Sequence, residues 1–235
     1  MRLPGLLQPL LVRREPAERV LRLAFPVILG SLSYTLLSAV DTIMLGRLGE
    51  APLAASGIAG VFFFAIVFAF GSLSVGVQVL TARRFGEGEM TRCGDVLRAG
   101  LVLSAAIGLP LVAAAPWIAK LASPLLSHDP LVAHLGVEYL QFRLYGSAFS
   151  FLGWTYAAFF AGIGETRYQL QSSIVITIVN VVLDYGLIFG RLGLPRMEVA
   201  GAALASTLAV AAGAAYYMAI SLTPRIRRLY APYQG

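Results

Sequence analysis

Asp41 and Asp184 each lie in a stretch that is otherwise apolar enough to cross a membrane, and Asn180 precedes the second by one helical turn. A carboxylate at the centre of a bilayer costs roughly 3 kcal/mol or more, so such residues face protein or a water-filled cavity and mark ion paths and proton relays. Thr177, Asn180 and Asp184, at i, i+3 and i+7, share one helical face, and Tyr34, Ser38 and Asp41 share another. Ser206 places a hydroxyl on a third helix. Two carboxylates with amide and hydroxyl oxygens offer the hard oxygen ligands that small cations take. Alternatively, burial and mutual repulsion leave one carboxyl carrying a proton. Either chemistry suits an ion-coupled transporter. In the competing reading each Asp merely bonds a neighbouring helix, a role that Asn would fill.

The elements that must position these groups are spanning helices. Of 235 residues, 58% are hydrophobic and 13% charged, with a mean hydropathy of +0.77. Soluble domains carry roughly a quarter charged residues. Residues 51–82, 99–119, 144–164 and 199–224 are uncharged, and each run exceeds the roughly 18 apolar residues that make a spanning helix the default. Two further runs, 23–40 and 168–183, end at Asp41 and Asp184. The chain reads as an all-α integral membrane protein, a six-transmembrane-helix bundle with spans near 23–45, 53–80, 96–121, 137–163, 171–189 and 199–220. Residues 1–22 form a cytoplasmic N-terminal segment, 23–220 the transmembrane lobe and 221–235 a basic tail. Pro110 and Pro116 are expected to bend or end the third span. Residues 81–95 and 122–136 read as polar loops. The first holds Cys93, the single cysteine, which excludes an internal disulfide. The second holds His128 and His134, which have only Asp129 and Glu138 nearby and read as solvated rather than metal-binding. The sixth span opens with Gly201, Ala202, Ala203, Ala205 and Ser206, small residues that let a neighbouring helix approach closely.

The net charge of +6 would raise nucleic acid as a partner in a soluble chain; here it reads as topology. Arg2, Arg13, Arg14, Arg19 and Arg22, then Arg83, Arg84, Arg92 and Arg98, then Arg167, then Arg225, Arg227 and Arg228 fall on one side. Arg47, Lys120, Arg191 and Arg196 fall on the other, and Arg143 lies inside the fourth span. Both termini are therefore expected in the cytoplasm of a multi-pass plasma-membrane protein, with lipid as a partner and nucleic acid excluded. At about 1.5 Å per residue, this orientation places Asp41, Asp184 and Ser206 in the outer half of the bilayer and Asn180 one turn deeper.

Several segments also carry a resemblance. Residues 23–30, with Pro26, and 40–49, with Asp41 and the Gly46-Arg47-Leu48-Gly49 turn, resemble the first helix of the multidrug and toxic compound extrusion (MATE) family. Residues 82–88, 160–166, 180–185 and 201–206 resemble, in order, the loop after its second helix, the end of its fourth, its fifth and the start of its sixth. The resemblance implies an antiporter, not an enzyme, with no catalytic residue and no cofactor beyond a coupling sodium ion or proton. It implies export of organic cations, drugs or other amphipathic compounds. Carried over, Asp41, Asn180 and Asp184 match ligand positions that include a possible sodium site, and Ser206 stands where a threonine is often found. Pro26 and Tyr139 are further positions of interest, and with Tyr34, Ser38 and Thr177 they are the candidate cavity-lining residues. Family members have twelve helices in two lobes, between which substrate passes. The six spans here correspond to the N-terminal lobe, so the chain reads as a fragment, a truncated gene or a half-transporter that needs a second lobe or a second copy. Residues 221–235 would then be a truncated inter-lobe linker. Three alternatives compete. A lipid-linked oligosaccharide flippase would need a charged central cavity, and Arg143 is the only basic residue well inside a span. An intramembrane aspartyl protease would use Asp41 and Asp184 as a dyad, but Val181, Val182 and Leu183 stand where glycines would precede the catalytic Asp. The third is a non-transporting structural membrane subunit.

The topology makes a direct prediction. With Cys93 replaced by Ala, Ser127→Cys should react with a membrane-impermeant maleimide in intact cells, and Gly88→Cys only after permeabilisation. The opposite pattern would invert the assignment.

Overall fold

The computed structural model describes residues 14–233; residues 1–13 of the expected N-terminal segment lie outside it, as do residues 234 and 235. Among the described residues there are nine helices and no strand: α1 (Arg14–Gly46), α2 (Glu50–Gly71), α3 (Leu73–Gly86), α4 (Met90–Leu126), α5 (Pro130–Tyr145), α6 (Ser147–Gly162), α7 (Arg167–Phe189), α8 (Glu198–Ser221) and α9 (Pro224–Tyr230). Five helical stretches are long and apolar enough to cross a membrane: Leu23–Gly46, Glu50–Gly86, Met90–Leu126, Arg167–Phe189 and Glu198–Ser221. The sixth crossing is α5 followed by α6, each 16 residues long and joined through Gly146.

Three sequence expectations change. First, α1 begins at Arg14 rather than near residue 23. Residues 14–22 are rich in Glu, Ala, Arg and Leu, which are good helix formers. Apolarity locates where hydrocarbon begins, not where the helix does. Second, α4 runs unbroken through Pro110, Pro116 and Pro124, which a helix packed among others in a membrane tolerates. It absorbs Cys93, which is fully buried against Leu97, Phe159 and Tyr230 rather than sitting in a polar loop. Third, the loop expected over 122–136 shrinks to residues 127–129, which hold His128. Asp129 caps α5 by accepting from Leu131 N at 2.8 Å and Val132 N at 3.3 Å, with Pro130 at the first helical position. His134 is thereby helical, with its Nε2 3.6 Å from Glu138 Oε1.

Spans two and four are each broken once. After Gly71, the Ser74 hydroxyl donates to the Gly71 carbonyl at 2.6 Å and Ser72 to Ala69 at 3.4 Å, which are local bonds that compete with a regular helix. At Gly146 the backbone N–H reaches back to Arg143 O at 3.0 Å, which frees the Phe142 carbonyl. Thr207 of α8 donates its hydroxyl to that carbonyl at 2.9 Å, so the break is satisfied by a neighbouring helix, as a membrane interior requires. A Cβ at Gly146 would fall 2.8 Å from Thr207 Oγ1, so the same contact demands glycine.

The α7–α8 hairpin is the most closely packed pair; α1 lies along α7, and α8 also packs on α5 and α6. This places α1, α5, α7 and α8 around one space. On the opposite side, α4 packs on α3, α5 and α6. Trp117, Leu121 and Leu125 of α4 are 71%, 79% and 68% exposed, an apolar outer surface suited to hydrocarbon. Part of the expected basic tail is a packed helix: Ile226 and Tyr230 of α9 are buried against α4, and Arg225 pairs with Glu165 at 3.1 Å. Gly94 of α4 leaves room for the Tyr230 carbonyl.

The small opening of α8 performs as its composition predicts. A Cβ at Gly201 would lie 2.7 Å from the Leu187 carbonyl oxygen of α7, a backbone atom that cannot swing aside. Gly201→Ala is therefore expected to destabilise the lobe by about 1–3 kcal/mol through overpacking, read as a lower thermal midpoint in detergent. An unchanged midpoint would show that the α7–α8 contact is looser than this.

Candidate functional site

Asp41 lies five residues before the end of α1, Asp184 five before the end of α7, and Ser206 eight after the start of α8. All three are thus within about two and a half turns of the end of the lobe that carries the α1–α2 and α7–α8 connections. Close α7–α8 packing and the lie of α1 on α7 bring them to one point. Asn180 and Asp184 are fully buried, whereas Asp41 and Ser206 are half-buried.

Asn180 is the centre of the arrangement. With its amide nitrogen towards the acids, it donates to Asp41 Oδ1 at 2.9 Å and to Asp184 Oδ2 at 3.0 Å, and its oxygen accepts from Ser206 N at 3.2 Å. With the amide turned over, its nitrogen donates to Ser206 Oγ at 3.4 Å, and its oxygen faces the two carboxylates at those same short separations. The carboxyls of Asp41 and Asp184 thus flank one amide group, each within 3.0 Å of it. Asp184 Oδ1 is buried with no hydrogen-bond partner. In a medium without water an acceptor of this kind calls for a donor or a cation.

Beside this cluster is a cavity of about 140 Å3 lined by Tyr34, Ser38, Asp41, Tyr139, Asn180 and Ser206, with Arg143 and apolar residues completing it. A second cavity of about 540 Å3 has Phe63, Phe64, Trp154 and Tyr217 in its wall, together with Ser150 and Ser172. The two share Tyr34, Ser38, Arg143, Ile176 and Val210. Arg143 is half-buried in the last turn of α5, where the negative end of the helix dipole favours a cation. Its guanidinium carbon lies 4.3 Å from the centre of the Phe63 ring.

The structure therefore assembles Asp41, Asn180, Asp184 and Ser206 into one cluster and puts Tyr34, Ser38 and Tyr139 in the adjoining wall. It does not place Pro26 there: that residue lies 15 positions before Asp41 on α1, about 22 Å along the axis. Thr177 lines neither cavity, although it shares a helical direction with Asp184, and Ile176 takes the wall position instead. Arg143 was visible as an intramembrane charge, but its place between two cavities was not. Phe63 and Trp154 carried no signal, because aromatic residues crowd lipid-facing and cavity-facing positions alike.

The MatE family model matches residues 26–186, more than half of the chain. The chain is 37% identical over 194 residues to a multidrug resistance protein NorM of Burkholderia vietnamiensis, a match covering 80% of this chain and 41% of that one. It is 32% identical over 196 residues to a probable NorM of a Synechococcus species, covering 83% and 42% respectively. Among solved structures, an outward-facing multidrug resistance MATE transporter superposes with a TM-score of 0.80 at 25% identity, covering 89% of this chain and 46% of that one. A MOP superfamily transporter from Pyrococcus furiosus shares the fold, with a TM-score of 0.81 at 24% identity, covering 92% and 46%. The chain thus spans less than half the length of these relatives. With the helical architecture, the polar cluster and the match over residues 26–186 in agreement, the chain belongs to the MATE family of multidrug efflux transporters, of which it supplies one six-helix lobe.

Proposed function

We propose that this lobe is the ion-coupling half of an antiporter that exports amphipathic compounds, and that Asp41, Asn180, Asp184 and Ser206 bind the coupling cation, a sodium ion or a proton. The observation that carries the reading is that Asp41 Oδ1 and Asp184 Oδ2 each lie within 3.0 Å of one Asn180 amide, next to a buried carboxylate oxygen that has no partner. Two carboxylates this close cannot both stay charged in a low dielectric without a counter-charge. A proton shared between them relieves the repulsion in one way. A sodium ion relieves it in another, and turning the Asn180 amide then presents its oxygen to the ion while its nitrogen keeps a bond to Ser206. In both cases the arriving cation changes the charge of a buried site, and that change drives a conformational preference. The 140 Å3 cavity gives the ion a route to Asp41.

Substrate passage needs the second lobe that the relatives' length implies, and the multidrug export named for the NorM relatives is the activity proposed for the assembled transporter. The larger cavity, about 540 Å3, lies in the usual range for small-molecule sites, roughly 300–1,000 Å3. Both termini in the cytoplasm and a plasma-membrane location complete the reading.

Asp41→Asn and Asp184→Asn each preserve size and remove a charge. In the wild type, sodium or protons at ten times their Kd should stabilise the lobe by roughly 1.4 kcal/mol, seen as a rise in thermal midpoint with sodium concentration or with acidification. Either variant should lose most of that dependence while remaining folded, because a neutral amide is cheaper to bury than a carboxylate. Ser206→Ala should weaken it less, since one neutral ligand is lost. Wild-type ion dependence in both Asp variants would place the coupling site elsewhere. Asn180→Ala leaves the carboxylates facing each other without their shared donor and should cost about 1–3 kcal/mol. That cost should shrink in an Asp184→Asn background, where the repulsion is already gone.

A further inference from the structure

The short helix α9 carries charge that nothing described in the lobe neutralises. It lies at the end expected to face the cytoplasm, where most described arginines meet an acid. Arg83 and Arg84 pair with Glu87 at 3.0 and 3.1 Å, and Arg92 pairs with Glu89 at 2.9 Å. Arg98 pairs with Asp95 at 3.1 Å, and Arg167 and Arg225 pair with Glu165 at 2.8 and 3.1 Å. Arg227 and Arg228 form no ion pair and no hydrogen bond among the described residues. Both line one open hollow of about 500 Å3, together with Leu222 and Pro224. The backbone beneath them is fixed from three sides. Ile226 and Tyr230 are buried in the cluster that holds Leu97 and Phe159. The Arg225–Glu165 pair ties α9 to the α6–α7 connection, and the Tyr233 hydroxyl meets that of Tyr156 at 3.0 Å. The two guanidinium groups therefore stand on an ordered platform, which lowers the entropy cost of binding.

The apolar half of the hollow decides what kind of anion fits. Leu222 directly follows Ser221, the last residue of the spanning stretch Glu198–Ser221, so it stands where the chain leaves hydrocarbon. Leu222 and Leu229 are 51% and 49% exposed on either side of the arginines. A soluble anion has no use for exposed leucine, whereas a phospholipid presents a phosphate and, directly beneath it, a glycerol and acyl chains. A guanidinium fork matches phosphate oxygens through charge-assisted hydrogen bonds. A zwitterionic headgroup would bring its own cation against two arginines, and the described lining holds no acid to receive it. We propose that Arg227 and Arg228, with Leu222 and Pro224, form a binding site for the headgroup of an anionic phospholipid in the leaflet at this end of the lobe. The site is separate from the Asp41–Asn180–Asp184 cluster and does not depend on the cation reading.

The test is native mass spectrometry of the full chain released from dodecyl maltoside, with dioleoylphosphatidylglycerol and dioleoylphosphatidylcholine compared at equal concentration. The Kd of the first bound lipid should be roughly 10- to 30-fold lower for phosphatidylglycerol, the range for two arginines beside a membrane surface. The double variant Arg227→Gln, Arg228→Gln should cut that preference to below about threefold. The double variant Arg227→Lys, Arg228→Lys should keep part of it, because the charge remains without the planar fork. Arg83→Gln with Arg92→Gln removes the same formal charge from the same end of the lobe, away from the hollow, and should leave the preference within about twofold. All these side chains are exposed, so the variants should keep the wild-type thermal midpoint. Equal loss in the two Gln pairs would show diffuse attraction to a basic face and overturn the proposal. So would a wild type that binds both lipids alike. Glycerol 3-phosphate in millimolar excess presents the phosphate without acyl chains and should displace little of the bound phosphatidylglycerol. Its full displacement of the lipid would make the hollow a site for a soluble phosphate compound and overturn the lipid assignment.

Discussion

Two carboxylates held against one Asn180 amide, each within 3.0 Å of it, set the terms for the whole lobe. Their repulsion at low dielectric is large enough that the surrounding helices must hold a donor between them or leave access for a cation. Asn180 is suited to both states, because an amide offers two donors on one side and an acceptor on the other. Its nitrogen reaches both acids at 2.9 and 3.0 Å, and its opposite face is anchored to Ser206 in either orientation. The site therefore needs α1, α7 and α8 held at fixed separations. The glycine at position 201, which admits the Leu187 carbonyl, is how the sequence fixes the closest of them.

The remaining helices show the same constraint applied to the backbone. At the two breaks, after Gly71 and at Gly146, a backbone carbonyl is taken up by a hydroxyl. Thr207 takes up the Phe142 carbonyl freed at Gly146. Ser104 and Thr155 bond each other at 2.7 Å between α4 and α6, so neither hydroxyl is left bare in an apolar interface. The break at Gly146 also ends α5 just past Arg143, so the negative end of the helix dipole lies beside the guanidinium.

Much of the site was legible in the sequence because intramembrane charges are scarce. Asp41 and Asp184 interrupt apolar runs, Asn180 follows from helical spacing, and Ser206 from its depth below the α8 start. Thr177 shows where spacing stops being informative: i and i+7 share a direction but stand about 10 Å apart along the axis, and the cavity wall at that level is formed by Ile176. Helix boundaries were less legible for a related reason. Hydropathy marks the slab of hydrocarbon, while helices continue past it wherever propensity allows, as α1 does back to Arg14 and α4 from Met90 to Leu126. The split of the fourth span depends on Thr207, 65 positions away from Phe142, and no local pattern encodes it.

Arg143 links the two chambers physically. It borders both cavities, so the charge state of the Asp41–Asp184 pair and the charge of anything held against Phe63 act on the same guanidinium. Linkage makes any such effect reciprocal: a change of field that reaches Arg143 from one cavity is felt by whatever the other cavity holds.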